Sequence, residues 1–200
     1  MKKLFVVFTA LSMFVTVAAQ NKTAKEIMAG VRLVYNKVQE EIKIGKAAEL
    51  PQERPASMTI KSNENVAGIG YQEKTIELFF DSHWSETGEE GFMFWDADLY
   101  FARMSYNVTD RKLYWEFLYD KKGEPIFVYY RGDEYEGDLS DVRIYFEKDQ
   151  VVELKSRTTG AKETKMYSIN DDESWSLEAR RIAMEIRNAF GRIRDIGRRD

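Results

Sequence analysis

The side chains that carry most enzyme chemistry are scarce in this chain. It has one histidine, His83, and no cysteine among its 200 residues. That excludes disulfides, thiolate metal sites and a cysteine nucleophile. Any histidine-assisted nucleophile must use His83, which stands in the run Asp81, Ser82, His83, Trp84, Ser85, Glu86. The residue types are those of an acyl-transfer triad, but neighbours on one strand or loop do not converge on one point. No glycine-flanked serine resembles a nucleophile elbow either. His83 therefore reads as a surface-loop histidine, and a hydrolase built on it is the lesser reading.

The carboxylates give no sharper signal. Asp133, Glu134, Glu136, Asp138 and Asp141 cluster between two expected strands, yet Gly137 breaks the alternation of oxygen ligands that a calcium loop requires. A solvated turn is the expectation. Asp96 and Asp98, downstream of Glu89 and Glu90, are close in sequence. Paired-carboxylate catalysis depends on separation in space, so these read as strand-end charges. No metal and no cofactor is expected, and no catalytic residue is assigned.

The aromatic residues are what stand out. Trp95, Tyr100, Phe101, Tyr106, Tyr114, Trp115, Phe117, Tyr119, Phe127, Tyr129, Tyr130, Tyr145 and Phe146 all fall in expected strands. Successive strand residues point to opposite faces, so both faces of the central hairpin are partly apolar. Either the helices cover one face while the sheet curls over the other, or a tyrosine-rich surface is left open to bind a sugar, a peptide or a partner protein. Tyr114, Tyr129 and Tyr145 are the candidate ligand-binding residues, at comparable places in neighbouring strands.

The elements that position them follow from periodicity. Ile27, Val31, Val34, Tyr35, Val38 and Ile42 recur at helical spacing, which predicts a helix from Thr23 to Ile44 with Gly45 as its stop and Val34 and Val38 buried. Pro51 and Pro55 mark a connector. Strands are expected at Met58 to Lys61, Thr75 to Phe80, Phe92 to Phe94, Leu99 to Tyr106, Arg111 to Tyr119, Pro125 to Arg131, Val142 to Phe146, Val151 to Lys155 and Glu163 to Ile169. A last helix spans Ser176 to Arg194, with an apolar stripe of Ile182, Ile186, Ala189, Phe190 and Ile193 and a solvated, arginine-rich remainder. The fold class is α+β: an N-terminal amphipathic helix, an antiparallel β-meander and a C-terminal helix.

Met1, Lys2 and Lys3 precede an apolar run from Leu4 to Ala19, ending in Val17, Ala18 and Ala19. This is the pattern of a cleavable signal peptide over residues 1–19, and the run is shorter than the roughly 20 residues that cross a bilayer core. Residues 20–200 then form a single soluble α+β domain, periplasmic or secreted, with no stable membrane span. Loss of Lys2 and Lys3 takes the formal net charge from −4 to −6, which argues against nucleic acid as a partner. The expected partner is an extracytoplasmic ligand or protein.

Tyr119 to Tyr130, with Arg143, Ile144, Tyr145, Phe146 and Val152, resembles uncharacterised exported proteins of Bacteroidota in which an aromatic strand, a charged glycine turn and an apolar-aromatic return strand recur in tandem. Here Gln150 replaces the second turn's usual glycine, and the resemblance implies no functional residues. More weakly, Ala24 to Val38 is similar to the first helix of periplasmic lipoprotein carriers, which would imply lipid binding by a curved sheet. The function expected is thus an exported binding or structural domain without catalysis, with a lipid or lipoprotein carrier as the alternative.

Overall fold

A computed structural model describes residues 23–50, 53–87, 92–109, 111–133, 139–159, 164–167 and 173–196. The chain forms helix α1 (Ala24–Ala47), eight strands, β1 (Ser57–Val66), β2 (Gly70–Thr87), β3 (Phe92–Val108), β4 (Arg111–Tyr119), β5 (Pro125–Asp133), β6 (Leu139–Glu147), β7 (Gln150–Thr159) and β8 (Thr164–Tyr167), and helix α2 (Glu173–Ile196). The strands pair antiparallel in sequence order, β1 to β8, in one sheet. The segment expected to be a signal peptide, the acids at 134–138 and Gly197 lie outside the described residues.

Helix α1 starts where its sequence directs. The Thr23 hydroxyl accepts from the Glu26 amide at 3.3 Å, and the Glu26 carboxylate accepts from the Thr23 amide at 2.8 Å, closing a capping box that satisfies two otherwise orphaned donors. Its end differs from expectation. Gly45 is buried inside the helix, and a Cβ there would overlap the Pro55 ring, so this glycine permits a close approach of the returning connector.

The buried stripe also differs. Val31 and Val38 are 8% and 7% exposed, but Val34 is 41% exposed. Tyr35 and Ile42 follow the Val31–Val38 line on one side, and Val34 falls off its other edge. Val34→Asp should therefore change stability by only about 0.5 kcal/mol, whereas Val38→Asp should cost several kcal/mol by burying an unpaired charge. Urea midpoints of the two variants check this, and equal losses would refute the placement.

In the sheet, β2 and β3 continue, past a register shift at Phe79 and Phe80, through segments expected to be loops. Asp81 pairs with Asp98 and His83 with Asp96 in a ladder that continues to Thr87 and Phe92. The polar residues there are poor strand formers, but backbone pairing along a long hairpin overrides that preference. His83 is thus an exposed strand residue, and Asp96 and Asp98 lie within a strand rather than at its end. The β6–β7 turn meets the lack of glycine differently: Lys148 and Asp149 adopt φ of 47° and 70°, the left-handed pair a two-residue hairpin turn demands. Arg180 holds the Asp149 carboxylate at 2.6 Å.

One helix lies on each face of the sheet, which corrects the expectation that both cover one face. Ala179, Ala183, Ile186 and Phe190 of α2 pack with Leu78, Ala102, Phe117, Val128, Ile144 and Leu154. Val31, Val38 and Ile42 of α1 pack on Phe79, Phe101, Leu118, Phe127 and Tyr145. The consecutive residues Phe117 and Leu118 thereby anchor opposite layers.

Candidate functional site

Register sorts the α1 face into rows. Phe79, Phe101, Leu118, Phe127 and Tyr145 pair across β2 to β6 and form the apolar row beneath α1. The next row reads Glu77, Arg103, Glu116, Tyr129, Arg143, Lys155, and the one beyond it Thr75, Ser105, Tyr114, Arg131, Asp141, Arg157. Polar residues in register on one face, opposite a face whose centre is apolar, mark a surface that one helix covers in part.

The three candidate tyrosines share this face but not one row. Tyr114 stands at the level of Arg131 on β5 and Tyr145 at that of Phe127. Four residues of strand separate those levels, about 13 Å, with Tyr129 midway, so the rings run diagonally. Tyr114 and Tyr129 are half-buried and meet edge to face at 6.4 Å between centroids. Tyr145 is only 1% exposed and packs on Phe127 at 5.1 Å. A flat three-ring platform does not form. Two rings make a half-open pair, and the third belongs to the core under α1.

Glu116 fastens the helix to this face. The carboxylate is 5% exposed and accepts from the Tyr35 hydroxyl in a short hydrogen bond, from Gln39 at 3.3 Å and from Tyr114 at 2.6 Å. Burial first, and then the bond to this carboxylate, push the Tyr35 and Tyr114 hydroxyls well above the ordinary phenol range. Tyr129 is raised as well, by burial and then by Asp141, whose carboxylate accepts its hydroxyl at 3.2 Å.

Beside that anchor lies a pocket of about 330 Å³ between α1 and strands β5 to β7, lined by Val31, Arg32, Tyr35, Asn36, Phe127, Arg143, Tyr145 and Lys155. Arg32 lies over the Tyr145 ring, 5.9 Å from its centroid, and its Nε donates to the Tyr145 hydroxyl at 3.3 Å. Arg143 lies 5.4 Å from the centroid of the Tyr129 ring and pairs with Asp141 at 2.9 Å. The lining carries three cations and no carboxylate. No protein-family model matches the chain, and no curated protein and no solved structure matches it either.

The histidine and acids weighed for catalysis do not line this pocket. His83 is exposed, and the Asp96 carboxylate across from it takes the Ala97 amide at 2.7 Å and Arg194 at 3.1 Å. Asp133 accepts the Lys112 amide at 3.2 Å. Among the described residues, no group of three or more histidine, aspartate and glutamate side chains is placed to hold a metal ion. No helix among them is long and apolar enough to cross a membrane. Sequence reading passed over Arg32, Glu116, Arg143 and Lys155. Their only advance signal is the alternation Tyr129, Arg131 and Asp141, Arg143 and Lys155, Arg157, a period-two polar face.

Proposed function

We propose that this is an exported, non-catalytic binding domain that takes its ligand on the α1 side of the sheet, in the pocket beside the Tyr114–Tyr129 pair. The observation that carries this reading is that three cations, Arg32, Arg143 and Lys155, line one concavity together with the rings of Tyr35, Phe127 and Tyr145. A volume near 330 Å³ lies at the lower end of small-molecule sites. The lipid-carrier alternative draws less support, because α2 fills the other face with Ala179 and Ala183 at 0% exposure. An acyl chain there would have to displace the helix.

The test begins with protein isolated from the native cell envelope, whose intact mass should lack residues 1–19. A screen of glycans, peptides and small organic acids by thermal shift should then find a saturable ligand, and Tyr129→Ala should weaken it about tenfold or more by removing the ring on which Arg143 rests. Ligands that bind the variant as well as the parent would place binding elsewhere.

A further inference from the structure

The charge of the pocket runs against that of the protein. The chain carries a formal net charge of −4, yet on this part of the sheet Arg131, Arg143, Lys155 and Arg157 share one face with Asp133, Asp141 and Glu153, and none of these acids lines the pocket. Arg32 adds a further cation from the helix above. Asp141 occupies Arg143 through two of its nitrogens, at 2.9 and 3.2 Å, which leaves other donors of that guanidinium unassigned. Arg32 spends its Nε on Tyr145. Lys155 makes no ion pair among the described residues.

Arg143 and Lys155 are directly opposed on neighbouring strands, where Cβ atoms stand about 5 Å apart. Both line the pocket, and Arg32 lines it from α1. The remaining wall is apolar or aromatic: Val31, Tyr35 and Phe127. Resting on the pocket reading above, we infer that the ligand is a small organic anion: a carboxylate or phosphate held by Arg32, Arg143 and Lys155, attached to a body the size of one ring that lies against Tyr35 and Phe127. Arginine suits the planar, two-oxygen recognition such groups offer. The volume excludes a long chain, and the cations give no reason for a neutral sugar to be preferred.

The test is a titration of the 15N-labelled protein with benzoate and phenylphosphate, with benzamide and benzyl alcohol as uncharged counterparts of the same size, and with acetate and inorganic phosphate as anions lacking the ring. Benzoate or phenylphosphate should shift amides at Arg32, Arg143 and Lys155 saturably. The uncharged compounds and the ringless anions should bind about tenfold more weakly or worse, and the affinity should fall with added salt. Arg32→Gln combined with Lys155→Gln removes two of the three cations and should weaken the anion by tenfold or more, while Lys155→Gln alone, which breaks no hydrogen bond to the core, should weaken it severalfold at an unchanged melting temperature. If the uncharged rings bind this pocket as tightly, or the double variant binds benzoate unchanged, the anion inference fails while the pocket stands. If the whole panel leaves those amides unmoved, the pocket reading fails with it.

Discussion

Phe117→Ala should destabilise the protein by about 3–5 kcal/mol, the range found when a large aromatic is deleted from a core that cannot collapse around the gap. Phe117 is 0% exposed at the centre of the α2 layer. Val128 stands opposite it on β5, and Ala102 on β3. Trp115 lies parallel to it at 6.0 Å. Its neighbours sit on three paired strands, so the backbone has little freedom to close the cavity. Leu118→Ala, one residue on, should cost about 2–5 kcal/mol, but in the other layer, under α1.

The two losses should add to within about 0.5 kcal/mol although the residues are consecutive, because their side chains belong to separate clusters. Urea unfolding of the single and double variants measures this. A coupling well above that value would mean that the layers are one core, and that the sheet is not the partition between them.

The outline of the fold is legible in the sequence because both helices are long, periodic and flanked by turn chemistry, and the hairpins carry strong strand formers. What escapes is whatever depends on register. Residues 115–119 are buried without alternation, so the strand shows that both faces are covered but not by what. Glu116 reads as a solvent-face charge until Tyr35 and Gln39 of a helix 77 or more residues away close over it. The similar strands around Tyr114 and Tyr145 suggest equivalent rings. A one-residue change of register moves a side chain to the other face, and a shift of even number moves it along the face. The pairing that sets Tyr145 over Phe127 buries one ring and leaves the other half open. The juxtaposition of Arg32, Arg143 and Lys155 needs both that register and the docking of α1, which no local pattern encodes.

Stability should also fall steeply in alkali, and the cause lies in the same tyrosines. Burial pushes the Tyr119 hydroxyl, 3% exposed and donating to the Ala183 carbonyl at 2.8 Å, far above its ordinary value. Burial likewise pushes Tyr100 up to about 12, and Tyr35 and Tyr114 move in the same direction for the reasons given above. In the unfolded chain each of these ionises near pH 10. Below that pH both states hold the proton, so these groups make stability independent of pH. Above it the unfolded chain binds fewer protons than the folded one, and stability declines as pH rises.

A fully buried tyrosine contributes a slope of about 1.4 kcal/mol per pH unit. Tyr119 should count in full, and the half-buried Tyr35, Tyr100 and Tyr114 for less, because water screens them. Urea unfolding should therefore give a level stability from pH 7 to 9 and a fall beginning near pH 10. Tyr119→Phe loses a hydrogen bond, which lowers stability by about 1 kcal/mol at every pH, but it also removes about 1.4 kcal/mol per unit from the alkaline slope. The variant and the parent should consequently converge in stability towards pH 11. Parallel curves across that window would show that Tyr119 ionises as readily folded as unfolded, and that α2 does not seal it from water.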